Sequence, residues 1–207
     1  MARQKVYAIR KGKQTGIFHS WAECKQLVDG YPGAEYKSFL TQEEAEQYLG
    51  IKEEILSEEK GQKHLIAYVD GSFEVSIGTY SFGCVLLTPE GERIEKMGNG
   101  NQPESAAIRN VAGEMLGAMY AVRWAMKNGY KEIEIRYDYE GIEKWACGIW
   151  KAKMDLTQKY AEYMRKCSQY IRISYTKVVA HTGDFYNEMA DKLAKRALTE
   201  GNGIPEV

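Results

Sequence analysis

Two periods alternate along the chain. From His64 the run Leu65-Ile66-Ala67-Tyr68-Val69 is continuously apolar and closes on Asp70-Gly71-Ser72, which predicts a buried strand whose ladder stops at Asp70. Residues 80–87 predict a second strand, Thr88-Pro89-Glu90-Gly91 a turn, and residues 92–98 a third strand, completing an antiparallel meander. The period then changes: across residues 110–128, Val111, Met115, Ala118, Val122 and Ala125 recur at helical spacing. Gly113, Gly117 and Ala121 add a small-residue stripe that permits close packing on a sheet. Residues 131–138 alternate as a strand and end in a second carboxylate, Asp138. Helices are predicted over 139–150 and 157–170, and a last strand over 171–180. After the loop His181-Thr182-Gly183-Asp184, a closing helix begins near Tyr186 and turns Ala190, Leu193, Ala194 and Ala197 inward.

The first fifty positions form a smaller pattern. Residues 6–9 and 16–19 read as a hairpin around the basic turn Arg10-Lys11-Gly12-Lys13. Ser20-Trp21-Ala22-Glu23 is a capping box opening a helix that Gly30 stops, residues 34–39 a third strand, and Thr41-Gln42-Glu43-Glu44 a second capping box. Such a unit, at about fifty residues, lies near the lower size limit for independent folding. The next segment carries Glu53-Glu54 and Glu58-Glu59-Lys60 without a sustained apolar face, and reads as a solvated tether. The expected organisation is an N-terminal domain over 1–50, a charged linker over 51–62, a larger domain over 63–200 and a tail over 201–207.

Composition sharpens this picture in three places. At 207 residues, with 44% hydrophobic and 28% charged positions, the chain has the makings of a real core. The net charge of -1 drives no global attraction to a polyanion, so any nucleic-acid surface must be local. No apolar segment approaches the length of a bilayer span, so no membrane partner is expected and the chain reads as cytoplasmic. Cys24, Cys84, Cys147 and Cys167 are scattered without a CxxC pair and are expected to be buried thiols rather than a zinc site.

Candidate chemistry centres on Asp70. A lone strand-end Asp more often caps a turn through its own backbone, and waiting for a cation is the alternative. Other carboxylates change the balance. Glu114 falls between the two apolar faces of its helix, where a carboxylate is costly unless something pairs with it. Pairing the first and fourth strands would bring Asp138 beside Asp70, and the last helix could add Asp191. Four carboxylates in one patch cannot all ionise without cations between them, and hard divalent ions with oxygen ligands answer that need. In the N-terminal unit, Trp21 either packs inward or offers a stacking platform beside lysines, the latter being worth roughly 1–3 kcal/mol per base. Tyr36-Lys37 supplies a second aromatic with an adjacent cation.

The ordered set Asp70-Gly71-Ser72, Glu114, Asp138, His181-x-Gly183 and Asn187-Glu188-x-x-Asp191 resembles the catalytic domain of type 1 ribonucleases H, over residues 65–198. Residues 6–49, through Tyr7-Ala8, Gly16-Ile17, Trp21, Glu23-Cys24, Pro32-Gly33 and Glu43-Glu44-Ala45, resemble the hybrid-binding domain that precedes it in many members. The resemblance implies an α/β chain: a ribonuclease H-like mixed five-stranded sheet flanked by helices, preceded by a small α/β hybrid-binding domain. It implies an endoribonuclease that hydrolyses the RNA strand of RNA–DNA hybrids by two-metal-ion catalysis, leaving 5′-phosphate and 3′-hydroxyl ends, with two Mg²⁺ for which Mn²⁺ can substitute. Asp70 would bridge both metals, Glu114 and Asp138 would complete the leaving-group site, and Asp191 the site that activates water. His181 and Glu188 would sit at the rim, aiding proton movement and product release; by itself His181 also reads as a plain loop histidine. Trp21 and Tyr36 would meet the DNA strand and Lys37 the phosphates or minor groove. Asn110 would contact the 2′-hydroxyl, although on sequence alone it reads equally as a helix N-cap. The backbone at Gly71 and Ser72 would approach the RNA. The expected partners are the RNA–DNA hybrid and, through the N-terminal module, double-stranded RNA; the expected state is a monomer.

The chain also departs from the family. Ser38 stands where a second lysine is frequent, Tyr36 where Phe is, and Val111 where an amide is. The Asn-Pro-Gly turn after Ser72 is missing, and only Lys151 and Lys153 mark the place of the basic protrusion, so grip on substrate is expected chiefly from the N-terminal module. Two other readings stay open: a DNA-cutting relative on the same fold, and a hybrid-binding protein with a silent nuclease fold.

Overall fold

The computed structural model describes residues 5–49, 64–103, 107–179 and 184–207. The chain divides into two compact units, Met1–Gln62 and Lys63–Val207. The stretch expected to be a tether, and His181, lie outside the described residues.

The first unit runs β1 (Val6–Lys11), β2 (Gly16–Phe18), α1 (Trp21–Val28), β3 (Glu35–Phe39) and α2 (Gln42–Leu49). Its sheet is antiparallel in the order β2-β1-β3. Both expected caps form: Ser20 Oγ accepts from the Glu23 N–H at 3.2 Å and Thr41 Oγ1 from the Glu44 N–H at 3.3 Å. Ile9, Cys24 and Val28 make a small core under Tyr7, Phe18, Leu27 and Ala34.

The second unit runs β4 (Leu65–Glu74), β5 (Thr79–Leu87), β6 (Arg93–Gly100), α3 (Asn110–Lys127), β7 (Glu132–Tyr137), α4 (Gly141–Ala146), α5 (Asp155–Cys167), β8 (Arg172–Lys177) and α6 (Phe185–Glu200). The sheet order is β6-β5-β4-β7-β8. β4 pairs antiparallel with β5 and parallel with β7, so the sheet is mixed, as expected. The pleat of β4 feeds two cores. Leu65, Ala67 and Val69 pack with α3, α4 and α5, whereas Ile66 and Tyr68 pack with Ala190 and Leu193 of α6. That two-sided burial is why the strand reads as an unbroken apolar run rather than an alternating one.

Three expectations are corrected. β4 does not stop at Asp70: it continues to Glu74, paired through Glu74↔Thr79 with β5. Only the parallel ladder ends near Asp70, its last rung being Tyr68↔Arg136. A polar triplet ends pairing with one neighbour while the other neighbour goes on supplying partners. The helix expected over 139–150 is limited to Gly141–Ala146, because Gly148 turns left-handed at φ 72° and the Trp150 N–H bonds the Lys144 carbonyl at 2.9 Å. That turn leaves Cys147 exposed, while Cys24, Cys84 and Cys167 are buried. At the far edge, the Gly203 carbonyl accepts from the Asn99 N–H at 3.1 Å, so the C-terminal residues cover part of edge strand β6. Among the described residues, no helix is long and apolar enough to cross a membrane.

Candidate active site and nucleic-acid interface

The parallel register levels two carboxylates. Asp70 and Asp138 each lie two residues beyond the last rung, Tyr68↔Arg136, and by the period of two both share the α6 side of the sheet. Helix α6 contributes Asp191, next to Ala190, which is anchored on that face. Glu114 arrives from the opposite side, on the second turn of α3. Its depth depends on two glycines. A Cβ on Gly71 would lie 2.1 Å from the Asn110 carbonyl oxygen and 2.4 Å from the Glu114 nitrogen; one on Gly113 would lie 1.9 Å from the Ser81 oxygen. Helix backbone therefore rests on strand backbone, and Glu114 is 2% exposed, deeper than the core edge expected for it. Its Oε1 accepts from the Tyr139 N–H at 3.3 Å, which ties it to the end of β7.

Electrostatics record how near the four groups are. Burial pushes Asp70 up from 3.8 to about 7, with the charges of Asp138 and Asp191 adding to the rise, while the Gly71 N–H and Lys195 oppose it. Burial, then Asp138 and Asp70, hold Glu114 well above the ordinary carboxylate range. Two of the remaining oxygens are engaged by the protein itself. Asp70 Oδ1 accepts from the Gly71 N–H at 2.6 Å, and Asp191 Oδ2 from Lys195 Nζ at 2.7 Å. Accordingly, no three His, Cys, Asp or Glu side chains among the described residues stand posed to share a metal ion. The donor set still fits one: it is all carboxylate oxygen, level across one sheet end, and two of its members are driven toward neutrality by burial and by one another. To ligate together, Asp70 and Asp191 would turn from their present bonds.

Lys195 was not among the sequence candidates, although its i,i+4 spacing from Asp191 was a readable signal. Glu188 is half-buried in the first turn of α6, whose N-cap is Asp184, accepting from the Tyr186 and Asn187 N–H groups at 3.1 Å each. Asn110 is exposed and is the first helical residue of α3; the cap position is Arg109, at φ 47° with no side-chain cap bond. The N-cap alternative for Asn110 is therefore not adopted. Ser72 is half-buried, and the room Gly71 provides is taken by the backbone of α3 rather than left open.

In the N-terminal unit Trp21 and Tyr36 come together. Their rings lie 5.8 Å apart, the Tyr7 ring lies tilted at 5.6 Å from Trp21, and Trp21 and Tyr36 are each 44% exposed. Trp21 thus faces outward. Lys37 does not join Tyr36: the strand alternation turns it to the other face, where its ammonium lies 5.5 Å from the Phe39 ring. Adjacency in sequence is opposition across a pleat, which corrects the expected Tyr36-Lys37 pair. Tyr36 and Lys37 are nevertheless both exposed, one on each face of the edge strand β3.

Comparison with known proteins agrees in both units. Residues 62–199 match the family model described as RNase H, and residues 5–49 match that of the Ribonuclease H1 N-terminal domain. Ribonuclease H1 of Rattus norvegicus is 26% identical over 95% of this chain and 90% of its own length. The Homo sapiens protein is 26% identical over 94% and 89%. A Ribonuclease H of Saccharomyces cerevisiae is 57% identical over 51 residues, 24% of this chain and 15% of that protein. Among solved structures, RNase H1 from the archaeon Halobacterium salinarum superposes with TM-score 0.57 at 26% identity, covering 67% of this chain and 99% of that one. Since the RNase H model spans most of the chain and the N-terminal model all the described residues of the first unit, the chain belongs to the ribonuclease H family of nucleases and carries an N-terminal domain of the ribonuclease H1 type.

Proposed function

We propose that this protein is an endoribonuclease that hydrolyses the RNA strand of RNA–DNA hybrids, leaving 5′-phosphate and 3′-hydroxyl ends. The observation that carries the reading is the electrostatic crowding of Asp70, Glu114, Asp138 and Asp191 where the β4–β7 ladder ends. Asp70, Glu114 and Asp138 would hold one divalent ion, and Asp70 with Asp191 a second, Mg²⁺ or Mn²⁺. The chemistry such ions supply when bound is a lowered pKa for the attacking water and neutralised charge at the departing 3′ oxygen. The protein's own part is to hold the carboxylates in place. Glu114 is fixed by the Tyr139 N–H, and Lys195 pairs with Asp191. Glu188 and His181 would move protons at the rim. Asn110, exposed beside the Gly71 contact, and Ser72 would read the 2′-hydroxyl, the group that separates RNA from DNA. The Trp21–Tyr36 platform would carry hybrid, or double-stranded RNA, by stacking, with Lys37 meeting phosphate from the neighbouring face.

Cleavage of labelled RNA–DNA hybrid with Mg²⁺ or Mn²⁺ tests this, with duplex DNA beside it to separate a DNA-cutting enzyme. Asp138→Asn should lower the rate at least about a hundredfold, as loss of a transition-state charge stabiliser does. Persistent activity in that variant would overturn the site assignment. Trp21→Ala should raise the hybrid Kd about fivefold to 150-fold, from a stacking contribution of about 1–3 kcal/mol, leaving the turnover rate at saturating substrate unchanged. Fluorescence anisotropy against a fixed hybrid measures it.

A further inference from the structure

Between the apolar α6–sheet contact and the carboxylates lies a partly buried polar cluster with no part in the chemistry above. Glu134, 8% exposed, accepts from Arg136 Nε at 2.8 Å through Oε1 and meets His64 Nε2 at 3.2 Å through Oε2. The Thr176 side chain of β8 also hydrogen-bonds it. Arg136 Nη1 donates to the Tyr68 hydroxyl at 2.5 Å, and its guanidinium carbon stands 5.2 Å from that ring's centroid. The Tyr68 ring, 4% exposed, packs 5.4 Å from Tyr186 in the first turn of α6. Four elements are thus linked in series: β8 through Thr176, β7 through Glu134 and Arg136, β4 through Tyr68, and α6 through Tyr186.

The place of this series in the register matters. Tyr68 and Arg136 form the last parallel rung, and Asp70 and Asp138 follow each of them by two residues on the same face. A buried ion pair is weak evidence for stability, since its desolvation penalty rivals what an apolar pair gives without one. Its advantage over aliphatic packing is direction: a planar guanidinium with two committed N–H groups fixes angle and separation, whereas apolar contact tolerates sliding. Farther along the same interface, Ile66, Val85, Leu87, Ala190 and Leu193 give adhesion without direction.

We propose that Arg136 is a positioning residue for the carboxylate cluster. Held by Glu134 and bonded to Tyr68, it locks β4 to β7 at the last rung, and through the Tyr68–Tyr186 contact it sets the first turn of α6. That turn lies about 7.5 Å along the helix from Asp191, at 1.5 Å per residue. Arg136 thereby holds the spacing among Asp70, Asp138 and Asp191 that a divalent cation requires. This inference rests on the functional reading above, and its primary readout is ion binding rather than turnover.

The experiment measures Mn²⁺ affinity of the full chain without substrate, from the free-ion electron paramagnetic resonance signal, for the unmodified protein, Tyr68→Phe and Arg136→Met. Tyr68→Phe keeps the ring against Tyr186 and the Glu134–Arg136 pair, and removes only the hydroxyl. Both variants should bind Mn²⁺ about tenfold more weakly, as loss of a group supporting metal ligands does. Excess Mg²⁺ should restore cleavage by Tyr68→Phe, with its hybrid KM unchanged. Should Arg136→Met fail to fold, Tyr68→Phe decides alone. Unchanged Mn²⁺ affinity in a folded Tyr68→Phe overturns the proposal, as does a raised hybrid KM with unchanged metal dependence. Failure of the functional reading is separately visible: the unmodified protein would then bind Mn²⁺ and leave hybrid uncut.

Discussion

In the metal-free protein at pH 8, Asp70→Asn should raise the unfolding temperature while removing hybrid cleavage. A stabilising change that destroys activity is the signature of a carboxylate held against its own preference. Asp70 stands at about 7 in the fold against an ordinary 3.8, first because of burial and then because of Asp138 and Asp191. A folded value above the unfolded one means that its contribution to stability is fully present below about 3.8 and is lost as pH rises through about 7. At pH 8 the ionised group therefore opposes folding by about 2–4 kcal/mol once relaxation is allowed for, a tenfold change in the ionisation equilibrium being worth about 1.4 kcal/mol. Asn keeps the acceptor for the Gly71 N–H and has no charge to repel its neighbours. The gain should shrink from pH 8 to pH 5 and vanish near pH 4. Urea titrations of both proteins across that range, with and without Mg²⁺, measure it. Mg²⁺ should stabilise the unmodified protein at pH 8 and leave Asp70→Asn nearly unmoved. Equal stability of the two proteins at pH 8 would mean that the carboxylates do not crowd one another.

Gly71→Ala should be among the most damaging single methyls in the second unit, with those at Gly83 and Gly113. Its Cβ would fall 2.1 Å from the Asn110 carbonyl and 2.4 Å from the Glu114 nitrogen, both helix backbone, so no rotamer change can relieve it. Either α3 lifts from β4 or the strand bends, at about 3 kcal/mol or more, the upper end for overpacking a core. Lifting α3 also shifts Glu114 away from Asp70 and Asp138, so cleavage should fall further than the unfolded fraction explains. Gly117→Ala, on the helix that Gly71 touches, is the control. Its Cβ would lie 3.3 Å from the Phe82 Cβ and 3.5 Å from the Val69 Cβ, close contacts short by only a few tenths of an ångström, and the expected loss is under about 1 kcal/mol. Similar losses at the two positions would remove the special role given to Gly71.

Local features could be read from the chain alone. Ser20 and Thr41 capped the helices they were expected to cap, because a cap needs only a side chain and backbone three residues on. The continuous apolar run ending at Val69 and the alternation over 131–138 were legible as strands, and the change to helical period after residue 110 was legible as a helix. The order of the carboxylates was legible too, and with it the family. Periodicity reports which face of its own element a residue occupies, and nothing about the neighbours.

Whatever depends on two elements at once came from tertiary packing. Asp70 is a strand end toward β7 and mid-strand toward β5, a distinction that exists only once both partners are in register. Glu114 is buried because two glycines let a helix backbone touch a strand backbone. Lys37 faces away from Tyr36, although a run of five residues gives no hint which face the aromatic platform will use. The Glu134–Arg136–Tyr68 series is drawn from two strands 68 positions apart, and its β7 members alternate with apolar residues like any half-exposed strand. Charges and rings find such partners through space, where low dielectric makes pairing obligatory. So Asp70, first legible as a polar stop after an apolar run, became the centre of a repelling cluster only when register and helix packing brought three more carboxylates to it.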